Sequence, residues 1–350
     1  MWTAHDYEDS DFTGILNLVD EYYGSVEISN SDYIKWEYFD NPAGEAIIKV
    51  AKNEVGEIVG QYILIPVIMR IFGKQIKVTL SLNTLTKTDY LKQGIFTALC
   101  KNALITCKNE QYAFTYGYPN KNSYYGFTNK LGFTDLHKIP LLIYPCDIKS
   151  LVNKKLSKTL AIFTPNISFG LNKNASDTCI VEINKDNMDL LDIFWDKVKD
   201  KYPIMVARDK NFLKWRYIDV PTREYNIYIY TEEADIFGYI ITTIRNIDGI
   251  KNGLIVDFLI QGNDYDVGKK LIYKAFKLFR QNNAELVGCL MLKHTAEYSV
   301  LKKCGFIRTP RFLEPQPFPL IYRGHQEEYT TEQIMDIQNW FVSMGDYDAV

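Results

Sequence analysis

The chain of 350 residues lacks any run of the roughly 18 apolar residues that a membrane-spanning helix needs. Its longest apolar stretches, at 62–69 and 236–244, have the length of strands, and no membrane partner is expected. The opening Met-Trp-Thr-Ala-His-Asp-Tyr-Glu-Asp holds no basic segment followed by an apolar one, so no secretion signal is visible and a cytoplasmic location is expected. The six cysteines include no Cys-x-x-Cys pair and no regular framework, which excludes a disulfide scaffold and reads as reduced thiols. Histidine is scarce, four in all and at no metal-ligand spacing, so no metal is expected. An excess of either charge is missing too. With 40 Lys and Arg against 43 Asp and Glu and a pI near 5.9, the sequence speaks against nucleic acid as the main partner.

What is present is a globular composition, 47% hydrophobic and 24% charged, over a length sufficient for two domains with cores of their own. The most informative stretch is 81–133. An apolar run at 78–85 reads as a strand, and the loop Lys87-Thr-Asp-Tyr-Leu-Lys-Gln-Gly-Ile-Phe-Thr97 leads from it into a helical pattern carried by Ile95, Leu99, Ala103 and Leu104. Such a loop presents unpaired backbone N–H groups at the positive end of a helix dipole, which suits an anion, and Gly94 lets the backbone approach it closely. One glycine would suit a plain turn equally well. More weight lies in the residues beyond the helix: a second strand at 112–118, the polar turn Pro119-Asn-Lys-Asn-Ser123, then Tyr124-Tyr-Gly-Phe127 and the ending Lys130-Leu-Gly-Phe133.

That order resembles the GCN5-related N-acetyltransferase (GNAT) superfamily, in particular large members with the patterns Y-R-G-K-G-I-F and G-F-P-N-x-N-S-Y-x-x-F-x-x-L-G-F/W. The resemblance implies an α/β fold with a mixed sheet flanked by helices, whose central parallel strands splay apart to admit acetyl-CoA. It also implies that the first loop cradles the pyrophosphate. The usual loop pattern of Gln or Arg, two residues, Gly, one residue, and Gly or Ala falls here on Leu91, Gly94 and Phe96, so only the central glycine is kept. The backbone donors of Gln93, Gly94, Ile95, Phe96 and Thr97 survive both changes.

The chain also repeats itself. The segment at 31–45, with Trp36, Tyr38, Asp40, Pro42 and Glu45, aligns without a gap with 210–224, carrying Trp215, Tyr217, Asp219, Pro221 and Glu224. Residues 56–63 resemble 234–241, and Leu131-Gly-Phe133 is echoed by Cys304-Gly-Phe306. A repeat of this length means two copies of one domain. Two tandem GNAT-like domains are therefore expected, at 1–145 and 177–350, joined by a linker at 146–176 that contains a basic stretch at 149–158. The strand after Ile139 reads as the last of the first domain. The kept Trp-x-Tyr-x-Asp-x-Pro pattern reads as structural. The second copy offers Asp264 and Asp266 where the first offers its loop, and a carboxylate repels a pyrophosphate; its cofactor loop reads as degenerate.

The resemblance implies an acyl-CoA-dependent, most simply acetyl-CoA-dependent, N-acyltransferase acting on a small-molecule amine such as an amino sugar, amino acid or polyamine. Attack on the thioester needs an oxyanion donor, an exit for the amine's proton and a proton for the departing thiolate. The resemblance places the donor at the backbone of Leu85 or its neighbour Thr86. It places the thiolate's proton source at Thr128, where a tyrosine would be usual, so Tyr124 or Tyr125 one turn earlier are the candidates. Asn120, Asn122 and Ser123 would bond cofactor or acceptor, or cap a helix. No base stands out: Asp89 reads as a cap, and Asp346 and Asp348 lie in a tail expected to be solvated. Two rival readings stay open, a non-catalytic acyl-CoA-binding scaffold and a tRNA-dependent aminoacyl transferase of the same tandem fold.

Overall fold

The computed structural model describes residues 1–24, 26–147, 179–310, 314 and 316–347. The expected linker and its basic stretch fall almost wholly outside them, as does Asp348.

The first half runs β1 (Trp2–Asp6), α1 (Phe12–Tyr23), α2 (Ser31–Tyr38), β2 (Ile47–Asn53), β3 (Ile58–Ile71), β4 (Lys74–Thr86), α3 (Ile95–Asn109), β5 (Phe114–Gly117), α4 (Lys121–Tyr125), a π-helical turn at Gly126–Lys130, β6 (Thr134–Lys138) and β7 (Leu141–Pro145). Local chemistry accounts for the boundaries. The Asn30 side chain accepts the amides of Asp32 and Tyr33 and starts α2. Gly56, at φ 83°, and the Asn53 side chain, which accepts the amides of Val55 and Glu57, close the expected β2–β3 hairpin. Ile15, Leu18 and Val19 give α1 one buried face.

The second half repeats the order: β8 (Ile180–Ile183), α5 (Asp189–Val198), β9 (Ile204–Val206), α6 (Lys210–Tyr217), β10 (Asn226–Glu232), β11 (Asp235–Ile247), β12 (Ile250–Ile260), α7 (Tyr265–Gln281), β13 (Leu286–Leu290), α8 (Ala296–Lys303), β14 (Ile307–Arg308) and β15 (Pro319–Gly324). Both copies turn at the same glycine, Gly132 at φ 68° and Gly305 at φ 96°, a backbone conformation that a side chain would strain. The aligned tryptophans meet, Trp36 of α2 stacking on Trp215 of α6.

Two mixed sheets result, and each contains a strand from the other half. The first is ordered β1-β2-β3-β4-β5-β15-β6, with β9 paired to the outer end of β3; the second is β14-β7-β13-β12-β11-β10-β8. β15 lies antiparallel between β5 and β6, and β7 lies antiparallel between β13 and β14. The expectation that the strand after Ile139 closes the first domain is therefore corrected: the chain crosses at Ile139 and Pro140 into the second sheet. The two halves share a continuous apolar core on one side of the first sheet, while α3 covers the other face over a separate core that includes Tyr62, Leu99 and Phe127.

Candidate functional site

The site begins as a break in a strand pair. β4 and β5 run parallel over Thr79–Thr115, Leu80–Tyr116 and Ser81–Gly117, after which β5 ends and β4 continues to Thr86. A bulge turns the continuation aside: pairing with β3 shifts between Gln61 and Ile63, and Asn83 adopts φ 46°. The Gln61 side chain holds the bulge open by donating to the Asn83 carbonyl at 2.9 Å. The gap leads into a cleft of about 640 Å³, bounded by β4, the N-terminus of α3, the 117–130 segment and, from the second half, Gln316, Ile321 and Tyr347.

At one end of the cleft stands the start of α3. Gly94 is its N-cap at φ 86°, with no side chain capping the helix. The first helical bond runs from the Ala98 amide to the Gly94 carbonyl at 3.0 Å, which leaves the amides of Ile95, Phe96 and Thr97 outside the helical ladder. A β-carbon on Gly94 would meet nothing within 4 Å, so the space before these amides is open. That is a fitting cradle for a phosphate. The second copy differs here, because the Asp264 side chain takes the amides of Asp266 and Val267 at 2.9 and 3.1 Å.

Of the expected cofactor residues, Leu85, Thr86, Gly94, Ile95, Phe96, Thr97 and Asn122 line the cleft. Gln93 does not; its side chain turns back to donate to the Asp89 carbonyl at 3.1 Å. Phe96 is partly buried in the first turn of α3. Its ring packs edge-on to Phe127 at 5.1 Å and covers Gly126, where a β-carbon would come within 2.5 Å of it. The bulky residue at a usually small position is thus a wall of the cleft.

The three expected catalytic residues separate. Asn120 lines the cleft, yet its side-chain oxygen accepts the amides of Asn122 and Ser123 and caps α4. Tyr124 lies outside the cleft lining and donates its hydroxyl to Asp135 at 2.5 Å, an interaction that raises its pKa. Tyr125 lines the cleft and is 62% exposed. Thr128 donates to the Tyr124 carbonyl at 3.0 Å and serves the π-turn.

Two features escaped the sequence reading. Glu37 of α2 is 4% exposed and is the one carboxylate among the described residues lining the cleft. The Asn83 side chain donates to it at 2.7 Å and to the Tyr38 hydroxyl at 3.0 Å. The expected solvated tail is the second, and is corrected. Trp340 and Phe341 are fully buried, Ser343 bridges to Met291 at the end of β13, and Asp346 pairs with Arg208 at 2.7 Å. Arg208 also holds Asp257 at 2.9 Å, and burial raises the Asp346 pKa against that pairing. The segment thus runs along the second sheet's own strand break and delivers Tyr347 to the first copy's cleft. Among the described residues no cluster of side chains suits a metal ion, and no helix is long and apolar enough to cross a membrane.

Comparison with known proteins agrees with this architecture. Residues 3–135 match the sequence family described as Acetyltransferase (GNAT) domain. No curated protein sequence matches the chain. Among solved structures, Saccharomyces cerevisiae N-myristoyltransferase with bound myristoyl-CoA superposes with a TM-score of 0.64 at 10% identity, over 92% of this chain and 82% of that one. A GCN5-related N-acetyltransferase from Anabaena variabilis gives 0.64 at 12% identity, over 93% and 73%. A conserved Enterococcus faecalis protein described as a probable N-acyltransferase gives 0.60 at 11% identity, over 97% and 75%. Residues 3–135 thus carry the signature of a GNAT domain, and the two halves together share the fold of these N-acyltransferase structures.

Proposed function

We propose that the protein is an acyl-CoA-dependent N-acyltransferase whose donor binds in the cleft of the first copy and whose acceptor is a small-molecule amine. The observation that carries this reading is the uncapped N-terminus of α3 at the mouth of the β4–β5 break. The amides of Ile95, Phe96 and Thr97 would hold the pyrophosphate, with Lys92 and Lys130 on the same lining as cationic neighbours. The thioester would enter along the bulged end of β4, where the backbone around Leu85 faces the developing oxyanion. Tyr125, facing the cleft, is the proton donor we assign to the departing thiolate; Tyr124, tied to Asp135, is not. Acetyl is the simplest donor, and the likeness to a myristoyl-CoA-bound structure makes a longer chain the alternative to test.

Titration calorimetry with acetyl-CoA and with myristoyl-CoA, on the wild type and on Gly94→Glu, tests the reading. Binding at one site per chain, abolished by the charge at position 94, is the expected result. A wild type that binds neither thioester would overturn it.

A further inference from the structure

We propose that Ile321, carried into the first copy's cleft by the exchanged strand β15, and Gly117 beside it set the length of the donor's acyl chain, which stops well short of myristoyl. This rests on the acyltransferase reading above and adds the class of acyl group to it.

The cleft has a floor where its two strands part. β4 and β5 separate after the pair Ser81–Gly117, and β15 runs along the other side of β5 with Ile321 opposite Gly117. All three residues line the cleft, yet Ile321 is fully buried and Ser81 is only 8% exposed, so they form its inner end. A β-carbon on Gly117 would stand 3.4 Å from the Ser81 Cβ and 3.9 Å from the Ile321 Cγ1. The missing side chain is what leaves room between them. The Ser81 hydroxyl donates to the Tyr62 hydroxyl at 3.0 Å and closes the floor on that side.

The walls turn a growing chain toward this floor. On the α3 face Phe96 and Phe127 meet at 5.1 Å and each ring lies 6.3 Å from Tyr62. On the opposite face Leu82, 4% exposed, lines both the cleft and a hollow of only about 30 Å³ shared with Leu80 and Tyr116. Toward the mouth lies the route that the amine must use.

The second copy supplies the contrast. Its strands β12 and β13 part after Leu254–Gly288, so a glycine again stands at the vertex. Leu254 takes the place that Ser81 has in the first copy, and its Cδ2 lies 3.3 Å from where a β-carbon on Gly288 would be. A leucine fills the space that a serine leaves open. The copy with the open helix start is also the copy with the open floor.

Length follows from the strand. With the thioester carbonyl at the backbone around Leu85, the acyl chain runs back along β4 toward Ser81. The four steps from Leu85 to Ser81 span at most about 13 Å in a strand, and the bulge at Asn83 shortens the path. An extended myristoyl chain is longer than that. Each methylene that fits gains affinity by leaving water, and the first that meets the floor loses it, because an apolar pocket discriminates a single methylene by about tenfold or more.

The test uses the full chain, with free CoA and the acetyl, butyryl, hexanoyl, octanoyl and myristoyl thioesters as probes. Calorimetric Kd values are read for wild type, Gly117→Ala, Ile321→Val and Ile321→Ala, each thioester taken relative to free CoA on the same variant, with thermal unfolding alongside. Gly117 lies outside the left-handed region and a methyl group there makes contacts of ordinary length, so that variant should fold even where Ile321→Ala does not. Wild-type affinity should rise with chain length to a cut-off short of myristoyl and fall about tenfold or more beyond it. Gly117→Ala should move the cut-off toward acetyl and the Ile321 variants should move it away, all with unchanged affinity for free CoA. Affinity that climbs through to myristoyl, or a cut-off that stays in place in folded Gly117→Ala and Ile321→Val, would overturn the proposal. Failure to bind free CoA and every thioester would strike the broader reading instead.

Discussion

Trp36 and Trp215, 179 positions apart, stack with ring centroids 4.9 Å apart, and each donates its indole N–H to the other's main-chain carbonyl, at 2.8 and 3.0 Å. The repeat in the sequence is here a contact: the aligned residue of each copy makes the same bond to the other. Both rings are at least 93% buried, and a buried indole with its N–H satisfied contributes through packing and through hydrogen bonding. Trp36→Ala should therefore cost about 3–5 kcal/mol. Because Trp215→Ala removes the same ring stack, the double variant should fall short of the sum by roughly 0.5–3 kcal/mol. Denaturant titration of the cycle measures the coupling, and strict additivity would show that the rings act independently.

The exchanged strands make a prediction about assembly. Residues 1–147 expressed alone leave β5 and β6 without the strand that lies between them, and 148–350 alone leaves β13 without β7. Each fragment should be insoluble or molten by itself, with unpaired strand edges open to aggregation. Co-expression should restore a soluble complex that co-elutes as one species on gel filtration.

The cleft wall offers a third. A methyl group at position 126 would meet the Phe96 ring at 2.5 Å, so Gly126→Ala should destabilise by about 1–3 kcal/mol through overpacking. Phe96→Leu, made in the Gly126→Ala background, should recover part of that loss by freeing the ring's volume. Melting temperatures of the two variants and the wild type decide the matter, and a Gly126→Ala variant as stable as wild type would show that the ring moves freely.

His325 comes directly after β15 and bonds the Thr115 hydroxyl at 2.8 Å. Burial, and then the charge of Arg323, lower its pKa from 6.5 to about 4. The unfolded chain takes up its proton near pH 6.5 while the folded chain stays neutral, so stability is complete above that pH and declines as the pH falls toward 4. Between pH 6.5 and 5 the loss from this residue should be about 2 kcal/mol. Urea titrations at the two pH values should show that slope in the wild type and a shallower one in His325→Asn.

Legibility from the sequence tracked the range of the physics involved. The strand, loop and helix around Gly94 could be read because their determinants are local: an apolar strand, a glycine, and the onset of helical periodicity lie within twenty residues. The duplication was legible because aromatic and turn residues recur at fixed offsets. The strand exchange was not, because the short apolar runs of β7 and β15 suit either sheet equally and register depends on the partner. Glu37 was hidden for a related reason. A glutamate in Tyr33-Ile-Lys-Trp-Glu-Tyr38 reads as the solvated face of a helix, and its burial arises from the β4 bulge more than forty residues away. One signal was available: between the kept Trp and Tyr, the copies carry Glu37 and Arg216, opposite charges at one repeat position. The tail misled because Gly345-Asp346 looks polar, whereas Asp346 is neutralised by Arg208, which lies far away in the chain.

The strand exchange also constrains how such a chain can change over generations. A gene duplication ordinarily leaves two modules, either of which can be deleted, shuffled or handed to another protein. Once β7 and β15 had traded places, that freedom ended: discarding either copy removes a strand from the other's sheet. The second copy's helix start carries Asp264 without touching the first copy's cleft, while its half of the chain stays tied to the first sheet through β15. Duplicated domains tied in this way are inherited as a single unit.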